Sequence, residues 1–320
     1  MKLKDYVNYW YETYKMPKHQ GTTRHAYQCY INSYIVHNPI GEMEITEITL
    51  KDLQEYLANL KMYGKSDGTA LSSWTVIKMR QILISVMGLA KKEKLIDYNF
   101  AEDTEPIPIP FGRKAIFMPE HQKAFLEATR RHRFFPAYVL LFYLGCRRSE
   151  ILGLSWSNIN FKRNELVICQ ALVMEGREVV LKPNTKTRGS IRTIPFPREI
   201  RTLLIEWRKK QKMESKTVPG WENPDNLVFT NKDGSRHNPS YFSRNFKGMV
   251  KKLPFCDNSL HLHSTRHTWA TNMIQLGAAI TDVQAIGGWS RPDTLLNIYA
   301  QTVQKSQRRA INKLYKELSE

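Results

Sequence analysis

Pro106, Pro108 and Pro110 stand at alternate positions in the segment AEDTEPIPIPFGRK, residues 101–114. Proline fixes its own φ and has no backbone N–H, so no helix runs through such a segment, and Gly112 adds slack beyond it. Residues 101–114 therefore read as an extended connection between two separately folding parts, 1–100 and 115–320. A chain of 320 residues is also longer than a single core usually serves, which agrees with two domains.

The two parts differ in charge. Up to Gly112, thirteen Lys and Arg balance thirteen Asp and Glu, whereas from Arg113 onward thirty-five face seventeen, so the whole net charge of +18 belongs to the second part. Excess positive charge on one domain suits a polyanion, because each neutralised phosphate releases counterions. A solvated surface or an anionic membrane are the alternatives. The longest apolar stretch, residues 134–144, is broken by Pro136 and far too short for a bilayer span. Cys29, Cys146, Cys169 and Cys256 lie far apart with no C-x-x-C, which fits neither a disulfide framework nor a cysteine zinc site. The first residues, MKLKDYVNYWYETYK, have no apolar signal region, so the expected location is a reducing cytoplasm.

In the first part, apolar residues recur at helical spacing: Leu3, Tyr6, Val7, Trp10 and Tyr14; Ala26, Tyr27, Tyr30 and Tyr34; Leu50, Leu53, Tyr56, Leu57 and Leu60; Trp74 and Ile77, then residues 83–89. Thr22 or Thr23, Thr49 and Ser72 are candidate N-caps, and residues 39–41 and 64–68 candidate turns. These predict a bundle of four or five helices. The second part is mixed. Pro136 and Gly145 bracket a helix, and Ser149 is the expected cap of a second, short one. Strands are predicted at 166–173, 177–181 and 191–194, the first two joined through Met174, Glu175 and Gly176. Helices follow after Pro197, at 239–252, 264–276, 281–286 and 292–299, and lastly at 303–318, where Ile311, Leu314, Tyr315 and Leu318 share a face. The expected fold class is mainly α with a small antiparallel β-sheet.

Several motifs invite chemistry. Gly64-Lys65-Ser66 lacks the first glycine of a phosphate-binding loop, since position 59 is Asn59, which excludes nucleotide binding there. In HLHSTRH, His263 and His267 are one helical turn apart and with His261 suggest a metal site. The arginine between them opposes a bound cation, and residues 258–281 hold too few carboxylates for a two-metal centre. An arginine three residues after a histidine shares its helix face, so His263 and Arg266 can converge on one anionic group. Arg147 lies in the turn after Gly145, where Glu150 can hold it; an ordinary capped turn is the plainer reading. Lys186 sits in the polar connection LKPNTKTRGSIRTIP, where a lysine can reach a groove or simply face water. Trp289 and Tyr299, ten residues apart in IGGWSRPDTLLNIYA, would ordinarily be core, and spacing alone gives Tyr299 no privilege.

In order, GCRRSEILGLSW, the Lys186 connection, HSTRHTWAT and GGWS…IY resemble the tyrosine recombinase (phage integrase) family, especially integrases of conjugative transposons and temperate phages. The N-terminal bundle resembles that family's core-binding, DNA-binding domain, and residues 115–320 its catalytic domain. By that resemblance the catalytic set falls on Arg147, Lys186, His263, Arg266 and the nucleophile Tyr299, with Glu150 and His267 in support. Trp289 occupies a position where most members carry histidine, and would donate its indole N–H to phosphate. The implied activity is cleavage and rejoining of DNA strands through a 3′-phosphotyrosine, with no cofactor, metal or ATP. The implied partners are double-stranded DNA, a homotetramer assembled through the 303–318 helix, and an excisionase-type accessory protein. The implied setting is the bacterial nucleoid. The chain opens directly on the bundle, whereas many such integrases carry a small arm-binding domain first, so the resemblance implies either a shorter member of the family or a truncated one.

Neighbouring readings are a type IB topoisomerase-like or resolvase enzyme of the same chemistry, a DNA-binding regulator with an idle site, and a metal hydrolase built on HLHSTRH. Lys182 is an alternative to Lys186.

Overall fold

The computed structural model describes residues 1–19, 21–109, 115–183, 191–253 and 259–299, together with 311, 312, 314, 315 and 318; for residues 294 and 297–299 it describes the backbone alone. The chain divides into two compact units, Met1–Gly112 and Arg113–Glu320.

The first unit is helical. Helix α1 (Leu3–Trp10) loosens into a π-helical turn, Tyr11–Lys15, and a 3-10 turn, Met16–Lys18. Helix α2 (Gly21–Ile31) ends in another π turn, Asn32–Val36. A short α3 (Pro39–Glu42) stands where a plain turn was expected, because Asn38 caps it by accepting from the Ile40 N–H at 3.2 Å and Pro39 suits its first position. Helix α4 (Leu50–Tyr63) starts at a reciprocal cap, in which Thr49 Oγ1 accepts from the Asp52 N–H and Asp52 accepts from the Thr49 N–H. Ser72 caps α5 (Ser73–Lys92).

Leu3, Tyr6, Val7 and Trp10 are buried on one stripe of α1 against Leu53, Leu57, Val76, Leu83 and Val86. Four expected core positions differ. Ala26 of α2 and Leu50 in the first turn of α4 are exposed. Tyr14 is exposed, because the π turn shifts its register off the stripe, and Trp74 is exposed in the first turn of α5. Helix α2 begins before Thr22 and Thr23, so neither serves as its cap. Ala101 and Thr104 are buried in this unit, where Arg80 Nε donates to Thr104 Oγ1 at 2.8 Å, and residues 105–109 carry no regular structure.

The second unit begins with α6 (Pro119–Ala128), which periodicity did not predict, and α7 (Phe135–Leu144). Helix α7 is apolar nearly all round and is correspondingly enclosed, with Ala137, Tyr138, Leu140, Leu141 and Phe142 buried. Helix α8 (Arg148–Leu152) is capped at Arg147 rather than Ser149, because the Glu150 carboxylate reaches back to the Arg147 N–H. Strands β1 (Ile159–Asn160), β2 (Glu165–Ile168) and β5 (Arg192–Pro195) form one antiparallel sheet in the order β1-β2-β5; β3 (Gln170–Glu175) and β4 (Glu178–Pro183) form another.

The strand expected over 166–173 is thus two strands in two sheets. The cause is tertiary: Gln170 Nε2 donates to the Gly153 carbonyl at 2.7 Å, and a Cβ on Gly153 would stand 2.8 Å from the Leu172 nitrogen, so the chain passes tightly beneath the end of α8. The hairpin turns on Gly176 and Arg177, with Gly176 at φ 60°. Helices α9 (Arg198–Thr217), α10 (Pro239–Lys251), α11 (Leu262–Gln275), α12 (Ile280–Gly287) and α13 (Pro292–Tyr299) complete the unit. Leu295 of α13 is buried with Trp269, Ala270 and Val283 in a small separate core. Of the last expected helix, Ile311, Leu314, Tyr315 and Leu318 are described as helical and exposed. Among the described residues no helix is long and apolar enough to cross a membrane.

Candidate active site

The site is assembled where α7 ends. Gly145 closes that helix in the left-handed region at φ 62°, and a Cβ there would overlap the Trp269 ring, so only glycine satisfies both the backbone and the packing. Cys146 follows, fully buried, its thiol pushed up to about 12 by burial and the nearby Glu150 charge. The chain then extends into Arg147 (ψ 152°), which presents its side chain at the start of α8.

Arg147 is held on two sides. Its Nη1 donates to Glu150 Oε1 at 2.6 Å, and its Nη2 to the Gly288 carbonyl at 2.7 Å. Glu150 is 2% exposed. Burial alone would raise its pKa, but hydrogen bonds from Arg192, the charges of Arg192 and Arg147 and the Arg147 N–H outweigh it and hold the carboxyl at about 2.

Arg266 approaches from α11. It is 1% exposed, and its Nη1 donates to the Gly145 carbonyl at 2.6 Å. Its Nε and Nη2 are buried without a hydrogen-bond partner among the described residues. Burial first, and then the charge of Arg147, push its guanidinium down to about 9. Trp289 covers it, the guanidinium carbon lying 3.5 Å from the ring centroid, and Trp289 is itself stacked on Trp269 at 6.2 Å. A Cβ on Gly287 would overlap the Trp289 ring.

His263 is exposed in the first turn of α11, while His267 one turn on is buried; their rings meet edge to face at 4.4 Å. No group of three or more His, Cys, Asp or Glu side chains able to hold a metal forms among the described residues. Tyr299 is the last residue of α13, which packs against α11 and α12. Lys186 lies outside the described residues, whereas Lys182, on β4, forms an ion pair with Glu175.

The structure therefore gathers Arg147, Glu150, Arg266 and Trp289, with His263 on the helix that carries Arg266. It also adds residues that the sequence reading passed over. Arg192 is buried on β5 with both guanidinium ends on Glu150, and Trp269 supports Trp289. One signal for Arg192 was present: in a strand of period two, Arg192 shares a face with Ile194, and a charge on an inward face needs a partner.

Two family models match the chain: the phage integrase family over residues 121–306, and the phage integrase N-terminal SAM-like domain over residues 2–61. A tyrosine recombinase XerC-like protein of Caldanaerobacter subterraneus subsp. tengcongensis is 26% identical, covering 98% of this chain and 82% of that one. The transposase from transposon Tn916 of Enterococcus faecalis is 22% identical over 90% of this chain and 72% of its own. The Tn1549 transposon integrase, solved in complex with a circular intermediate DNA, superposes with a TM-score of 0.80 at 20% identity, covering 98% of this chain and 99% of that one. A lambda integrase dimer bound to a COC′ core site gives 0.67 at 14% identity over 93% and 95%. At these identities the two structures speak for the fold.

Proposed function

The chain belongs to the phage integrase family, and on that premise we propose that it is a site-specific DNA recombinase of a mobile element, with Tyr299 as its nucleophile. The 3′-phosphotyrosine chemistry is general to that family. The observation that carries the reading is Arg266: a guanidinium buried with its Nε and Nη2 unpartnered among the described residues, beside a second guanidinium, is short of the negative charge that a phosphodiester would bring.

Attack of the Tyr299 oxygen on phosphorus places negative charge on the non-bridging oxygens. Arg147, Arg266, His263 and the Trp289 indole N–H are the groups that would stabilise it. The phenol loses its proton, with His263 as the assisting base and His267 supporting it, while Lys186 protonates the departing 5′ oxygen. The phosphotyrosine conserves the bond energy, so a 5′-hydroxyl of another strand can reverse the step without ATP.

In this reading the helical unit is the DNA-binding, core-binding domain and the basic unit the catalytic one, working on double-stranded DNA at the bacterial nucleoid. Four copies assemble through the segment 303–318, whose described residues Ile311, Leu314, Tyr315 and Leu318 expose apolar side chains at i, i+3, i+4 and i+7, and an excisionase-type protein controls direction. The test is a duplex nicked close to the cleavage site, which lets the freed fragment diffuse away and traps the adduct. The wild-type chain should accumulate a covalent protein–DNA species and Tyr299→Phe none. An adduct formed by Tyr299→Phe overturns the assignment.

A further inference from the structure

Glu150 is not shared between Arg147 and solvent but between Arg147 and Arg192. Oε1 accepts from Arg147 Nη1 at 2.6 Å and Arg192 Nη1 at 3.1 Å; Oε2 accepts from the Arg147 N–H at 2.8 Å and Arg192 Nη2 at 2.8 Å. Four donors use the lone-pair sites of a fully enclosed carboxylate. Arg192 Nε then reaches a different element, donating to the Ile286 carbonyl at 2.5 Å in α12. Gly288 closes the same circuit. A Cβ there would stand 2.9 Å from Arg192 Nη1, its φ is 69°, and its carbonyl receives Arg147 Nη2.

From these contacts we infer that Arg192 is a positioning residue for strand transfer. It fixes Glu150 and the Ile286–Trp289 turn together, and through them sets where the Arg147 guanidinium and the Trp289 ring stand. The inference rests on the recombinase reading above.

Two physical consequences separate this role from a simple crosslink. First, one carboxylate answering two guanidiniums leaves Arg147 only part of its counter-charge. With Arg192 gone, Glu150 loses two of its four donors and is free to turn, so it no longer holds the Arg147 guanidinium in one place. Second, Glu150 would then sit enclosed with half its donors missing, and burial would raise its pKa. Arg192 also stands six residues after Lys186 in the sequence, at the first position of β5.

The experiment uses the full chain and a nicked suicide duplex, with DNA affinity and single-turnover cleavage measured separately for Arg192→Met and Arg192→Lys. The expected result for Arg192→Met is affinity within about twofold and cleavage slowed about a hundredfold, the scale of a displaced catalytic group. Its rate should fall further in acid as Glu150 takes a proton, a limb absent from the wild type. Arg192→Lys keeps the charge without the fork and should recover part of the rate. Placed in a Glu150→Gln background, Arg192→Met should add little, because both act through one contact.

Wild-type cleavage by both variants overturns the inference. So does full additivity with Glu150→Gln, or failure of both variants to fold, which would make Arg192 a structural crosslink only. None of these outcomes touches the Tyr299 test, so failure of the inference and failure of the recombinase reading remain distinguishable.

Discussion

The Arg266 guanidinium packs over Trp289 with its central carbon 3.5 Å from the ring centroid, in a pocket where its Nε and Nη2 have no acceptor among the described residues. The ring face is thereby committed to the cation, and in the proposed reading the in-plane indole N–H is the group that donates to a phosphate oxygen. Trp289→Phe keeps a face for Arg266 and removes the N–H. Cleavage in single turnover should slow about a hundredfold, the usual scale for one lost donor to a developing charge, with DNA affinity unchanged. Trp289→Phe cleaving at the wild-type rate would restrict Trp289 to covering Arg266.

In the proposed reading Lys186 gives its proton to the departing 5′ oxygen. Lys186→Ala should cleave an ordinary duplex slowly and recover on a duplex with a 5′-thiol leaving group, which departs without protonation. Absence of rescue removes the general-acid role and turns attention to Lys182.

Gly145→Ala tests how the site is anchored. The left-handed backbone costs about 1–2 kcal/mol for a non-glycine residue, and overlap with the Trp269 ring adds to it. Urea unfolding should show the second unit weakened by at least about 2 kcal/mol. Cleavage should fall as well, since the Gly145 carbonyl is the acceptor for Arg266. A wild-type denaturation midpoint would contradict the packing.

His237 makes stability sensitive to mild acid. It is 3% exposed, and burial, then the charge of Arg133, lower its pKa to about 4. The fold therefore keeps it neutral, while the unfolded chain protonates it near 6.5. Its share of stability is complete above about pH 6.5 and is lost as pH falls toward 4, amounting to about 3 kcal/mol. Thermal melts between pH 7 and 4.5 should be flatter for His237→Gln than for the wild type, with His132, whose pKa burial also lowers, leaving a smaller slope. Glu150 acts in a separate window. Its depressed pKa gives stability present above about 4.5 and lost only as pH drops toward 2.

Much of the helical architecture was legible in the chain, because periodicity and caps are local. Leu3, Tyr6, Val7 and Trp10 are buried as spaced, Thr49 and Ser72 cap as read, and Gly145 ends α7. The Arg147 to Glu150 contact was equally open to reading, since both sit within one turn.

What local pattern could not convey was the pairing of distant segments. The break at Cys169 follows from the passage under Gly153, not from the residues at the break, whose alternation would have continued a single strand. Arg192 meets Glu150 across 42 positions and Ile286 across 94, and Arg266 finds Trp289 only because α11 and α12 pack together. The sequence alone determined which side chains were available and which helices would carry them. Only the tertiary structure decided which charges share a carboxylate and which stand buried without one, because burial and mutual distance belong to packed elements and not to any one segment.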